Sequence, residues 1–218
     1  MMSQMAAIDV SILMPEITLL VFSFAILLLT PLLKPRAWAP GMALAGMAIS
    51  FVFVITGWDN QRTGYFDMVL CDNYALFAKV IFLIAGGLVV MLSHDWLNRH
   101  GVGRAEYYAL LLISIVGMMV MTSSANLMVI FLGLEIMSLP LYVMAGLQRD
   151  NLRSTEASAK YFFMGAFASA FFLYGIALVY GASGTTDLRQ VFMATGITMQ
   201  KHALYLTAGA GMVLIGFA

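Results

Sequence analysis

Seven stretches of the chain are apolar over most of their length and are separated by short polar segments. They cover about residues 12–33, 40–58, 73–93, 107–122, 126–147, 154–180 and 201–218. About 20 apolar residues at 1.5 Å rise cross the roughly 30 Å of bilayer hydrocarbon, so each run reads as a membrane helix, numbered here 1 to 7. Helix 7 is the exception. From Ala203 onward it supplies about 16 apolar residues, short of a full span. It is predicted as a partial helix that begins near Lys201, after a half-apolar piece, VFMATG, and the chain is expected to be the front part of a longer protein. The connections are read as loops. Residues 59–72 are polar and net acidic, and residues 94–106 hold Arg99 and Arg104 beside Trp96. The turn Ser123–Ser124–Ala125–Asn126 is so short that helices 4 and 5 are predicted to pack as an antiparallel pair. Ser154 is the expected N-cap of helix 6. The fold class is all-α, a polytopic helix bundle forming a single transmembrane domain over residues 1–218.

Composition supports a membrane protein and removes several function classes. The chain is 62% hydrophobic and 10% charged, whereas soluble domains carry about 25% charged residues. The bilayer is therefore a partner. Zero net charge gives no basis for a nucleic-acid partner. The single cysteine, Cys71, excludes an intrachain disulfide and a cysteine cluster for zinc or iron–sulfur. His94, His100 and His202 show no metal-ligand spacing, and no glycine-rich phosphate loop or nucleophile motif is present. No metal or redox cofactor is expected in this chain. Its 18 methionines read as soft packing rather than copper ligands. Loop charges predict orientation. Lys34, Arg36, Arg99, Arg104, Arg149 and Arg153 fall on one side, against Arg62, Arg189 and Lys201 on the other. That bias places the first group in the cytoplasm and the N-terminus outside.

Candidate chemistry lies in the charges within apolar runs. Glu135 sits near the middle of helix 5, in NLMVIFLGLEIMSLPLYVMAGL. A carboxylate at that depth costs about 2.5–3.5 kcal/mol on insertion scales and usually marks an ion or proton path. Ser138 shares its face, and Pro140 frees a backbone carbonyl one turn earlier. Lys160 lies about two turns into helix 6. It either pairs with Glu156, four residues before it, and snorkels to the interface, or turns inward toward Glu135. Lys79, in helix 3, is read mainly as snorkelling toward the nearby loop. A buried acid and lysine can store and relay protons, because hydrating or separating them changes which charged forms are favoured. Helical rise places Glu135 roughly 18 Å from the end of helix 5 and Lys160 roughly 9 Å from the start of helix 6. The offset of about 9 Å predicts water or polar groups between two inward-facing side chains rather than a tight salt bridge. A static ion pair without transport remains the alternative.

The segments FLGLEIMSLPLYVMAGL and RSTEASAKYFFMGAFASAFFLYGIALVYGASG, with EYYALLLISIVGMMVMTSSANL before them, resemble the antiporter-like membrane subunits of respiratory complex I. The resemblance is to the subunit N type of bacterial NADH:quinone oxidoreductase, the counterpart of mitochondrial NADH dehydrogenase subunit 2, and is looser over helices 1–3. It implies a bundle of about fourteen helices with two inverted five-helix repeats, of which this chain would hold the first, incompletely. It implies that Glu135 belongs to a central hydrophilic axis and that Lys160 matches a lysine on helix 6. A further lysine of the family's broken helix 7 would lie beyond Ala218. The implied function is a share in proton pumping coupled to quinone reduction. NAD, FMN, iron–sulfur clusters and quinone would be handled by partner subunits, and the other membrane subunits of complex I would be the partners. The implied location is the bacterial inner membrane, or alternatively the mitochondrial inner membrane. The competing readings are a subunit of a multisubunit cation/proton antiporter and a structural membrane subunit without a proton path.

Overall fold

A computed structural model describes residues 9–33, 36–99 and 105–217, with the side chains of Arg36, Asn98 and residues 194–202 excepted. Lys34, His100 and Arg104 lie outside the described residues, as do the side chains of Arg36, Lys201 and His202. Seven helices are described: α1 (Met14–Leu29), α2 (Ala39–Thr56), α3 (Asn73–Arg99), α4 (Ala105–Thr122), α5 (Leu127–Ala145), α6 (Leu152–Ser183) and α7 (Leu188–Phe217). The first six, α1 together with the short 3-10 turn before it, are long and apolar enough to cross a membrane, whereas the apolar part of α7 is shorter, Ala203–Phe217. The all-α bundle expected from the hydrophobic pattern is thus the observed architecture.

Local chemistry explains where the helices begin. The Asp9 carboxylate accepts from Ser11 N at 3.0 Å and Ser11 Oγ at 2.6 Å, which sets a 3-10 turn, Val10–Leu13, ahead of α1. Pro15 then sits in the first turn of α1, where its missing N–H costs nothing. Asn126 caps α5 by accepting from Met128 N at 2.9 Å. Asn151, not Ser154, caps α6, accepting from Arg153 N at 3.0 Å. Ser154 is instead inside the helix and donates to Ala145 O at the end of α5, at 2.7 Å.

Two packing clusters result. The larger one joins α1 to α2, α3 and α4 around Leu19, Ile26, Leu112 and Ile115. Buried hydroxyls fix α1 within it. Ser23 Oγ donates to Ala109 O of α4 at 3.0 Å, and Ser50 Oγ of α2 donates to Pro15 O at 3.0 Å. The smaller cluster gathers α5, α6 and α7 around Leu127, Phe172, Ile176 and Val179. Helices α4 and α5 form the predicted antiparallel pair, and they meet backbone to backbone. A Cβ on Gly117 would lie 2.3 Å from Met137 N and 2.6 Å from Gly133 O. Helices α6 and α7 meet the same way, a Cβ on Gly175 falling 2.8 Å from Gly209 O. Small residues permit such approach, which is how helices associate in lipid.

Three boundaries differ from the pattern-based reading. Residues 59–72 are not merely a loop. They fold as an antiparallel hairpin, β1 (Arg62–Gly64) with β2 (Val69–Cys71), pairing Arg62 with Cys71 and Gly64 with Val69. The turn puts Tyr65, Phe66 and Asp67 at positive φ of 53° to 64°, a conformation disfavoured for side chains of this size, so nothing local in the sequence signals it. Helix α3 runs through His94, Trp96 and Arg99 instead of stopping at Ser93. Residues 94–99 contain no glycine or proline, and Ser93 Oγ and Tyr107 Oη, 2.8 Å apart, tie this end to α4. Helix α7 starts at Leu188 rather than near Lys201, because Asp187 accepts from Arg189 N at 2.8 Å and VFMATG continues as helix.

The hairpin, the 123–126 turn and the segment before α7 are knitted together at one end of the bundle. Leu70 N donates to Ser123 O at 2.7 Å, and Ser124 Oγ donates to Met68 O at 2.6 Å. Leu127 N donates to Thr186 O and Leu188 N to Ala125 O, both at 2.9 Å. The alternation of the helices places these three connections on one side, and their mutual bonds tie them together.

Candidate functional site

Glu135 is placed by α5 on the face that meets α6. Its carboxylate accepts a hydrogen bond from Ser169 Oγ. Ser169 is the one Ser or Thr between Ser158 and Ser183. Its position in an apolar run was the available signal, and the pattern-based reading passed over it. The two residues line a cavity of about 470 Å³ between the helices, with Phe131, Leu139 and Tyr142 from α5 and Phe162 from α6 among its walls. An otherwise apolar wall around one carboxylate and the hydroxyls of Ser169 and Tyr142 is a setting in which the acid is held by a neutral donor and not by a counter-charge. Such a carboxyl can gain or lose a proton without breaking a salt bridge. The same face carries aromatic packing, with Phe131 stacked on Phe172 at 5.9 Å and Tyr142 set edge-on to Tyr161 at 4.7 Å. Ser138 turns inward and donates to Leu134 O at 2.7 Å, so it serves its own helix and not Glu135.

Lys160 is not brought to Glu135. Its Nζ bonds Glu156 Oε1 at 2.5 Å, with the two side chains 72% and 57% exposed. Helical geometry accounts for this. Lys160 and Ser169 are nine residues apart, which is half a turn out of phase at 100° per residue and roughly 14 Å along the axis. When Ser169 faces Glu135, Lys160 faces away. Lys160 and Glu135 do not both face inward, and Lys160 forms the surface pair with Glu156 instead.

A second charged site was missed. Lys79 does not snorkel. It is fully buried, and its Nζ lies 2.6 Å from Oε1 of Glu16, the side chains being 1% and 3% exposed. The sequence separates the two by 63 positions, and Glu16 reads as an ordinary first-turn acid of α1, so no spacing rule connects them. Among the described residues no group of three His, Cys, Asp or Glu side chains could hold a metal ion.

Comparison with known proteins places this geometry in a family. Residues 124–218 match the family described as NADH:quinone oxidoreductase/Mrp antiporter, transmembrane. NADH-quinone oxidoreductase subunit N of Trichlorobacter lovleyi is 38% identical over 212 residues, covering 96% of this chain and 44% of that protein. The subunit N of Rhodobacter capsulatus is 37% identical over 221 residues, covering 98% and 45%. Respiratory complex I from Thermus thermophilus, solved with bound aureothin, contains a chain that superposes with a TM-score of 0.75 at 30% identity, over 93% of this chain and 43% of that one. An archaeal membrane-bound sulfane sulfur reductase shares the fold, with a TM-score of 0.79 at 17% identity over 96% of this chain and 44% of that one. The chain spans a little under half the length of these relatives. It is a membrane protein with an antiporter-like fold, and its residues 124–218 match the NADH:quinone oxidoreductase/Mrp antiporter transmembrane family.

Proposed function

We propose that this chain is part of an antiporter-like membrane subunit of a proton-pumping NADH:quinone oxidoreductase, and that Glu135 carries protons in it. The similarity to subunit N over 96% of the chain supports the assignment to such a complex. The intramembrane carboxyl of Glu135, held by Ser169 at the wall of a cavity, supports the proton role, since an ionisable group at this depth is costly unless used. Lys160 is a second candidate. Its place beside Glu156 on an open face of α6 suits proton transfer near the membrane surface and not direct exchange with Glu135. In this reading electron transfer occurs in partner subunits, which hold NAD, FMN, iron–sulfur clusters and quinone, and this chain holds none of them. Its partners are the other membrane subunits of the complex and the lipid bilayer, and its location is the bacterial inner membrane.

The family description also covers cation/proton antiporters, and a purification separates the two activities. Tagged full-length protein should co-purify with NADH:quinone reductase activity from detergent-solubilised membranes. Protein that purifies without that activity, and exchanges cations for protons in vesicles without NADH, would overturn the assignment in favour of an antiporter.

A further inference from the structure

We propose that the buried Glu16–Lys79 pair is a protonatable centre separate from Glu135, exchanging protons with water on the hairpin side of the membrane. The pair lies close to that end. Glu16 is two residues into α1 and Lys79 six residues into α3, roughly 3 and 9 Å from their starts. Although Lys79 Nζ and Glu16 Oε1 are 2.6 Å apart, neither that nitrogen nor either carboxylate oxygen makes a well-oriented hydrogen bond among the described residues. The contact is a charge contact with unused donors and acceptors. Buried polar atoms are almost always hydrogen-bonded, and water supplies the bond where protein does not.

The route proposed for water is a cavity whose lining includes chain neighbours of the pair but neither member itself. This cavity, of about 350 Å³, is lined by Thr56, Asn60 and Arg62, and by Pro15, Cys71 and Leu76. Pro15 precedes Glu16 in the chain, and Leu76 is one turn from Lys79. Cys71, in this wall, feels the charge of both members of the pair. Burial pushes its thiol up from its ordinary value, Lys79 pulls it down, Glu16 pushes it up, and Arg62 and Asp72 act in opposite senses. With Asp9, which lies just before α1 and pairs with Arg62 at 3.6 Å, these are the charged groups near the site from α1, α3 and the hairpin. Helix α2 has no titratable side chain, and Glu106, Tyr107 and Tyr108 of α4 sit in its first turns, at the opposite end.

The chemistry balances simply. A proton arriving from water converts the Glu16 carboxylate to the acid and leaves Lys79 as ammonium, a site of net charge +1. Its return to water restores the neutral ion pair. This site goes beyond the role proposed for Glu135 and needs no contact with it.

The test is infrared difference spectroscopy of the full-length protein in its native membranes, compared with Glu16→Gln and with the charge-neutral Glu16→Gln/Lys79→Gln double variant, which leaves no unpaired buried charge. The wild type should show a carboxylic-acid band that titrates, shifts in D2O and is lost in both variants. Thr56→Trp, which fills the cavity, should slow the D2O shift. A Glu16 signal that stays carboxylate at every pH overturns the proposal, and an unslowed shift in Thr56→Trp overturns the route. Neither readout requires pumping, so either failure is distinct from failure of the pump assignment.

Discussion

Replacing Gly117 by alanine tests the packing that sets α5, and with it Glu135, against the rest of the bundle. A Cβ at this position falls 2.3 Å from Met137 N and 2.6 Å from Gly133 O, whereas favourable contact begins near 3.5 Å. Both atoms are backbone, so no rotamer change relieves the overlap, and the helices must part by about 1 Å. Overpacking of this kind costs about 3 kcal/mol, and the better helix propensity of alanine returns about 1 kcal/mol. The expected net loss is about 2 kcal/mol, or roughly 30-fold in the folding equilibrium at 1.4 kcal/mol per tenfold. Gly181 supplies the control, because a Cβ there meets nothing within 4 Å, so Gly181→Ala should be neutral or stabilising by up to about 1 kcal/mol. Unfolding of the full-length protein by SDS in mixed micelles, followed by circular dichroism, measures both. Equal midpoints for Gly117→Ala and Gly181→Ala would refute the close α4–α5 contact.

Lys79→Met should destabilise by about 3–5 kcal/mol, since it strands a buried Glu16 carboxylate, and adding Glu16→Gln should recover most of the loss in the same unfolding assay. Asn126→Ala removes both the α5 cap and the 2.9 Å bond from Asn126 Nδ2 to Thr186 Oγ1, an expected cost of about 1–2 kcal/mol with faster amide exchange in the 123–127 turn. Lys160→Met breaks only an exposed i,i+4 pair and should change stability by no more than about 0.5 kcal/mol.

Most of the fold was legible because membrane helices announce themselves by length and hydrophobicity. The α4–α5 pair followed from a four-residue turn, and Glu135 was found because one acid in twenty apolar residues stands out. What was not legible depends on tertiary placement. Lys79 looked able to reach the interface, but α1 delivers Glu16 to it from 63 residues away. The hairpin of residues 62–71 is held by a turn of unusual backbone conformation and by Ser123 and Ser124, partners that no local pattern names. Helix α7 begins early because Asp187 caps it, a signal masked by the glycine-rich stretch before it. Lys160 was ambiguous for a sound reason, as its surface pair with Glu156 and an inward turn were both allowed by spacing. Only the face that Ser169 presents to Glu135 decides between them.

If Glu135 moves protons, the number translocated per NADH must fall when its side chain cannot ionise. Inverted membrane vesicles containing the intact complex with Glu135→Gln are assayed for protons taken up per NADH oxidised, alongside wild type. Glutamine keeps the shape and the hydrogen bond to Ser169 but cannot exchange a proton. Near-wild-type assembly with a lower proton-to-NADH ratio is expected, and an unchanged ratio at wild-type turnover would show that Glu135 carries no protons.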